Sequence, residues 1–409
     1  MTDTTRTGPL ADLTIVDCTM AYAGPFGTSL LADLGANVIK IEPPSGDTFR
    51  NLAPHPTGYS RVGKAADGPD QSSGQNPGKN PDYGASFASV NANKRSVCLD
   101  FKKGADRETF LKLCECSDAI VENMRAGVMD KLGLGFEAIA ARNPTIVYGT
   151  VRGYGDARTG ESPYAEWPCL DVAGQSAGGL VEATGDIFPV AIADIYPGTL
   201  MALGLLAAVH RARQQQQAEF FDIAMYDSVM TLLKTNIASY ALTGKERKPG
   251  AHGLVPFGLF PASDGRVAIA APVESHWASL CEAMGRPELI SDERTRSNPR
   301  RAANAEFVEA QVAAWTSNLT KQQIVSALGG KVPVGPANTM AEVFADPHVS
   351  ARQMIQAFEY PDGDEGAFTS SPIKFLHDPA GLYQKPPRHG EHTDEVLAEF
   401  GISRDANDR

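Results

Sequence analysis

The chain has 409 residues, 42% of them hydrophobic and 21% charged, an ordinary globular composition long enough to bury a sizeable core across two domains. Its 37 Lys and Arg against 49 Asp and Glu leave a net charge of −12, which argues against a nucleic-acid partner because phosphate neutralisation needs clustered cations. The six scattered cysteines include no CxxC pair, the opening MTDTTRTGPL holds no apolar signal core, and MALGLLAAV (201–209) is about half a membrane span, so the expectation is a cytoplasmic protein with reduced thiols.

The β-branched run LTIVDCT (13–19) predicts a strand. Helical spacing of Phe26, Leu30, Leu31 and Leu34 predicts a helix over 23–35, closed by Gly35, and ANVIKIE (36–42) predicts a second strand. Such a β-α-β unit favours a parallel sheet covered by helices. Residues 51–85, rich in Gly, Pro, Ser and Asn, read as a polar loop excursion. Strands are then expected at 94–101, 118–123 and 145–155, with a helix at 106–117. A further strand is expected over VAIA (190–193), followed by a helix at 198–213 whose first position is Pro197. A strand and long helix over 220–244 leave this sheet, and LVPFGLFPASDGRVAIAAP (254–272) alternates like a hairpin about Asp264-Gly265. Helices near 274–284, 304–317 and 321–328 follow. The fold class is therefore α/β: a large Rossmann-like domain with a parallel sheet over 1–225, a linker helix and small α+β domain over 226–345, and a return segment, 346–409, packing on the large domain.

Three familiar chemistries fit poorly. Glu42 ends the second strand as a ribose-binding acid would, but the preceding turn, TMAYAGPFG, offers only Gly24 and Gly27 instead of GxGxxG. His389 and His392 lie in a turn-rich tail without HExxH order, so no metal is expected. GQSAGG (174–179) is not a nucleophile elbow. That leaves Asp194, at the mouth of a long apolar helix. Asp is common before helices, where the dipole favours its charge, yet a carboxylate at the carboxyl end of a parallel strand also sits where open α/β sheets bind ligands. Spacing alone leaves both roles open.

The longer strings add a resemblance. LADLTIVDCTMAYAGPFGTSLLADLGANVIKIEPPSGDTFR (10–50), NANKRSVCLDFK (91–102), DAIVENMRAGVMDKLGLG (118–135), DIYPGTLMALGLLAAVHRAR (194–213), VPVGPANTMAEVFADPHV (332–349) and HGEHTDEVLAEFG (389–401) together resemble the family III CoA-transferases, which include formyl-CoA transferase, carnitine CoA-transferase and the α-methylacyl-CoA racemases. The resemblance implies an interlocked homodimer. It also implies an aspartate nucleophile, here Asp194, that carries acyl anhydride and CoA thioester intermediates while CoA moves from an acyl-CoA donor to a carboxylic acid acceptor. Coenzyme A is then a substrate, with no tightly bound cofactor. The CoA-contacting positions carried over are Tyr22, Ala23, Leu99, Asp100, Phe101, Lys102, Asn123, Met124, Arg125 and Lys131. Two basic positions of the pattern are replaced by Pro43 and Pro168, with Arg95 and Arg125 as candidate substitutes. In the racemases a histidine precedes an aspartate in GHDINY; the matching string is PCLDVAGQ, where Leu170 precedes Asp171 and cannot move a proton. The transferase reading therefore leads the racemase reading and that of a non-catalytic CoA-binding protein. Small acids, dicarboxylates with succinyl-CoA as donor in particular, are the expected substrates. KPGAHG (248–253) lacks the glycine run of formyl-CoA transferase.

Overall fold

A computed structural model of the chain describes residues 7–52, 54–55, 84–249, 253–359, 365–378 and 380–403. The polar stretch at 51–85 lies largely outside the described residues. The chain divides into two compact units, Met1–Pro249 with Gln353–Arg409, and Gly250–Arg352.

The first unit is built on six parallel strands, β1 (Thr14–Cys18), β2 (Asn37–Glu42), β3 (Lys94–Cys98), β4 (Ala119–Glu122), β5 (Val147–Arg152) and β6 (Glu219–Ala224), in the order β3-β2-β1-β4-β5-β6. The expected α/β class and parallel sheet are thus observed. Ile15 is paired with Val38 on one side and Ala119 on the other. Successive residues point to opposite faces, so Val16, Ile39 and Val97 enter one core and Ile15, Val38 and Val121 the other. Both faces are covered, which is why β1, β2 and β4 read as largely apolar runs. The order reverses between β1 and β4, and the loops leaving these two strands diverge there. Open sheets place their ligand crevice at such a point, outside the carboxyl ends of the strands.

The expected strand over 190–193 does not form. A 24-residue helix, Ile192–Gln215, starts there instead, with Ala191 as its N-cap, and Pro197 falls a full turn inside it. Two causes account for this. The Ala193 amide is taken up by the Asp171 carboxylate (2.9 Å), which starts the helix early. The strand slot beside β5 is already filled by β6, with Thr150 opposite Asp222. The helix is long and apolar enough to cross a membrane, but Met201, Leu205, Ala208 and Ala212 are buried in the core that holds Val147 and Val38. It is a core helix. The expected helix after β6 is broken at Leu233 into Met225–Leu232 and Lys234–Thr243.

In the second unit β7 (Phe257–Ala262) and β8 (Gly265–Ala270) form the expected hairpin, and β9 (Val334–Pro336) pairs with β8. Helices Glu274–Ala283, Ala305–Thr316 and Lys321–Leu328 cover it with Trp277, Leu280, Val308, Val312 and Ile324. Arg301 is wholly buried among backbone carbonyls of Val255, Thr295 and Pro272.

The interior of the sheet's carboxyl half is ionic. Lys94 Nζ lies 3.0 Å from Asp17 Oδ2 and also donates to Asn91, Thr28 Oγ1 and the Pro25 carbonyl. Lys40 pairs with Asp47 at 2.8 Å, and Arg50 grips Glu42 through both carboxylate oxygens. Burial pulls the Lys94 ammonium down to about 8 against the pull of Asp17. Burial acts upward on Asp17, but Lys94 and Lys40 outweigh it and hold that carboxyl well below its ordinary range. Breaking a buried pair leaves one charge uncompensated, a loss of roughly 3–5 kcal/mol. Asp17→Asn is accordingly expected to lower the unfolding free energy measured by urea titration by roughly 3–5 kcal/mol at neutral pH.

Candidate active site

The Ile192–Gln215 helix runs antiparallel to the strands, so its first turn lies at their carboxyl edge. It meets the Ala23–Asp33 helix there with backbone against backbone. A Cβ added at Gly198 would sit 2.4 Å from the Ala23 carbonyl oxygen, and one at Gly27 would sit 2.3 Å from the Gly198 oxygen. This crossing brings Tyr22, the N-cap residue of the first helix, beside Asp194 in the first turn of the other. Burial raises the Tyr22 phenol above its usual range, and the Asp194 charge raises it further. Gly198→Ala is expected to force the two helices apart, destabilising the protein by roughly 1–3 kcal/mol in a thermal melt.

Asp194 is half-buried. Among the described residues no hydrogen bond reaches its carboxylate, which is perturbed only by burial and the Asp171 charge. Burial, and then the nearby Asp171 carboxylate, push Asp194 up to about 6. The helix dipole expected to keep this acid fully ionised is therefore outweighed by desolvation, although the ionised form still dominates at neutral pH. Cys169 lies close enough to feel the Asp194 charge. Burial raises its thiol, Asp194 raises it again, and its hydrogen bond with the Tyr154 hydroxyl keeps it in place.

The other predicted contact positions line the same sheet edge. Leu99, Asp100, Phe101 and Lys102 form the turn after β3. The Leu99 amide bonds the Glu42 carbonyl, Asp100 Oδ1 accepts the Lys102 amide, and Arg107 donates to the carbonyls of Phe101 and Lys102. The Lys102 side chain is exposed. After β4, the Asn123 amide group accepts from Met20 N–H and donates to Met20 C=O at 2.8 and 2.7 Å, tying the diverging loops together. Met124 follows, with its carbonyl held by Arg152. Arg125 and Lys131 are exposed, Lys131 at the end of the short Val128–Lys131 helix. Ala23 is buried by the helix crossing.

Two suggested substitutes and two set-aside groups are also placed. Arg95 points away from any ligand edge: it is engaged by Asn37 and by Glu399 and Glu395 of the C-terminal helix Thr393–Glu399, so it does not replace a cation lost at Pro43 or Pro168. Arg125 stays exposed. Glu42 is no ribose ligand: burial acts upward on it, but Arg50 prevails and holds it at about 2, with Ser96 Oγ and the Asp47 amide also bound. The tail histidines serve the fold. His392 Nδ1 accepts the Ser96 amide and His389 meets the Pro43 carbonyl at 2.9 Å. Gln175 and Tyr154 were invisible as site residues in the sequence, and Asp171 stood out only through the racemase string, because nothing in local spacing links the three to Asp194.

The CoA-transferase family III model matches residues 10–393. The chain is 36% identical to the succinyl-CoA:mesaconate CoA-transferase of Haloarcula hispanica over 98% of both chains. It is 32% identical to the acetyl-CoA:oxalate CoA-transferase of Acetobacter aceti over 87% of this chain and 88% of that one. A crystal structure of a CaiB/BaiF family protein from Brucella suis superposes with a TM-score of 0.81 at 29% identity, covering 96% of this chain and 100% of that one. With the sheet order, the helix crossing and the carboxylate it exposes, these matches bear out the resemblance: the chain belongs to CoA-transferase family III.

Proposed function

We propose that the protein moves CoA from an acyl-CoA donor to a carboxylic acid acceptor, with Asp194 as the covalent carrier. The observation that carries this reading is the half-buried Asp194 carboxylate, free of hydrogen-bond donors among the described residues and set at the carboxyl edge of the sheet. A carboxylate committed to capping or to an ion pair is a poor nucleophile; this one is uncommitted.

The chemistry balances without a redox or net proton step. An Asp194 oxygen attacks the donor thioester carbon; the C–O bond forms, the C–S bond breaks, and CoA leaves as thiolate from an aspartyl–acyl anhydride. The thiolate then attacks the Asp194 carbonyl carbon and expels the donor acid as carboxylate. The acceptor carboxylate attacks the aspartyl-CoA thioester and releases thiolate again. Thiolate attack on the acceptor carbonyl gives the new acyl-CoA and frees Asp194. Holding these intermediates away from water conserves the thioester bond. Lys102, Arg125 and Lys131 are exposed cations along the same edge, suited to CoA phosphates. Tyr22, Ala23 and the turns at Leu99–Lys102 and Asn123–Met124 line the approach. Leu170 gives no second base, which counts against racemisation.

The names of the two relatives, one pairing succinyl-CoA with mesaconate and one acetyl-CoA with oxalate, support small dicarboxylates as acceptors. Succinyl-CoA is the favoured donor. The working unit is a homodimer in the cytoplasm. Apolar side chains left open on the first unit, among them Leu203 at 65% and Leu242 at 87% exposure with Ile237 and Tyr240, support a covering second copy. Six free thiols suit a reducing compartment.

Incubation with a panel of acyl-CoAs, trapping with hydroxylamine and peptide mass spectrometry are expected to place an adduct on the Asp194 peptide, strongest with succinyl-CoA. Asp194→Ala is expected to abolish the adduct and to lower kcat by on the order of 10⁴-fold or more. Interconversion of (R)- and (S)-2-methylacyl-CoA without an adduct would overturn the reading.

Attack requires ionised Asp194, so kcat/KM is expected to rise with pH and level off above an inflection near 6. Stability runs the other way. An acid raised from 3.8 to about 6 binds more protons folded than unfolded between those values, so stability falls as pH rises through that window and the penalty stands above it. Asp194→Asn is therefore expected to raise Tm at neutral pH, and the gain is expected to vanish as pH falls below the ordinary carboxylate range.

A further inference from the structure

The first amides of the Ile192–Gln215 helix are all occupied. Ile192 N–H bonds the Val190 carbonyl, and Asp194 and Ile195 N–H both bond the Ala191 carbonyl. Ala193 N–H is bonded from outside the helix, by Asp171 Oδ1 at 2.9 Å. Asp171 opens the Asp171–Ala177 helix, and its second oxygen accepts Gln175 Nε2 at 2.8 Å. Gln175 is fully buried and grips the approach to the site through both amide atoms, donating to the Phe188 carbonyl at 3.0 Å and accepting the Phe188 amide at 2.9 Å.

Free N–H groups at a helix start attract any carboxylate in the first turn. In this helix the Val190 and Ala191 carbonyls take three of those amides and a carboxylate from a different helix takes the fourth, at Ala193, so Asp194 is left out. We propose that Asp171, locked by Gln175, is the positioning residue for Asp194: it takes the Ala193 amide in its place and so holds the Asp194 carboxylate unbonded at the carboxyl edge of the sheet. This inference deepens the proposed transferase function and rests on it.

A second effect follows from charge. The groups facing Asp194 are Asp171 from its own helix, Tyr22 from the N-cap of the Ala23–Asp33 helix, and Cys169 from the segment before Asp171. Burial and the Asp194 charge hold both the phenol and the thiol protonated near neutral pH, which leaves Asp171 as the charged neighbour. A more basic carboxylate is the stronger nucleophile while it remains ionised.

The test is Asp171→Asn, which keeps an oxygen to accept the Ala193 amide and removes the charge. Its kcat/KM inflection is expected to fall by about one pH unit, with kcat down about tenfold and KM for acyl-CoA unchanged. Asp171→Ala, which also removes the cap, is expected to lower kcat by about a hundredfold, again with little change in KM. Gln175→Met, which leaves Asp171 present but unlocked, is expected to lower kcat in the same sense, and it serves if the Asp171 variants fail to fold. An unchanged pH inflection and kcat in Asp171→Asn, while the unsubstituted enzyme still forms its Asp194 adduct, would overturn the positioning role and leave the transferase reading standing. Absence of the adduct in the unsubstituted enzyme would overturn both.

Discussion

The Ala23–Asp33 and Ile192–Gln215 helices cross with backbone against backbone at Gly27 and Gly198, and the site depends on that. Gly27 and Gly198 let the two backbones touch, with the Ala23 and Gly198 carbonyls standing where Cβ atoms would otherwise lie. The crossing fixes Tyr22 against Asp194, and the parallel sheet beneath fixes where along the molecule the pair appears. Strand polarity puts every loop that follows β1, β3 and β4 on the same edge. A helix that returns antiparallel to the strands must begin on that edge as well. The carboxylate is therefore placed by topology and then aimed by local bonds.

Charge is sorted sharply around this edge. Lys40, Lys94 and Arg50 are inside, each matched to an acid and to further acceptors, so none is available to a phosphate. Lys102, Arg125 and Lys131 are outside and exposed. The buried set does structural work on the loops: Lys40 Nζ donates to the Thr19 carbonyl, Asp17 accepts Thr19 N–H, and Asp47 accepts the amide of Ala21, which holds a φ of 65°. A non-glycine residue in that left-handed region needs such support. The C-terminal segment closes the far side of β3, where Ser96, Cys98 and Arg95 bond His392, Thr393 and Glu399 in turn. The two strings NANKRS and HGEHTDE, distant in sequence, are two halves of one interface.

Much of the frame was legible in the residues. β1, β2 and β4 are largely apolar runs because both sheet faces are covered, and Asp264-Gly265 marked its hairpin because Gly265 takes a φ of 149° there. What failed was the run Val190–Ala193, whose apolar pattern suits a strand or a buried helix equally. The deciding atom belongs to Asp171, a residue that no local window around Ala193 includes. The same holds for the site. Asp194 stood out as a lone acid at the mouth of an apolar helix, and longer strings marked the contact turns. Its perturbed acidity, and the Asp171–Gln175–Phe188 chain behind it, arise from contacts between separate helices that spacing cannot encode. Arg95 stood as a candidate substitute for a lost basic contact because sequence gives no measure of burial.

The most direct test of Asp194 as covalent carrier is the fate of acceptor oxygen. An acceptor acid carrying oxygen-18 in its carboxylate attacks the aspartyl-CoA thioester, and when the thiolate takes the acceptor acyl group, one labelled oxygen stays on the aspartate. Peptide mass spectrometry after turnover is predicted to find the label in the peptide holding Asp194 and confined to that side chain. Formation of labelled acyl-CoA with no heavy oxygen in Asp194 would contradict the account.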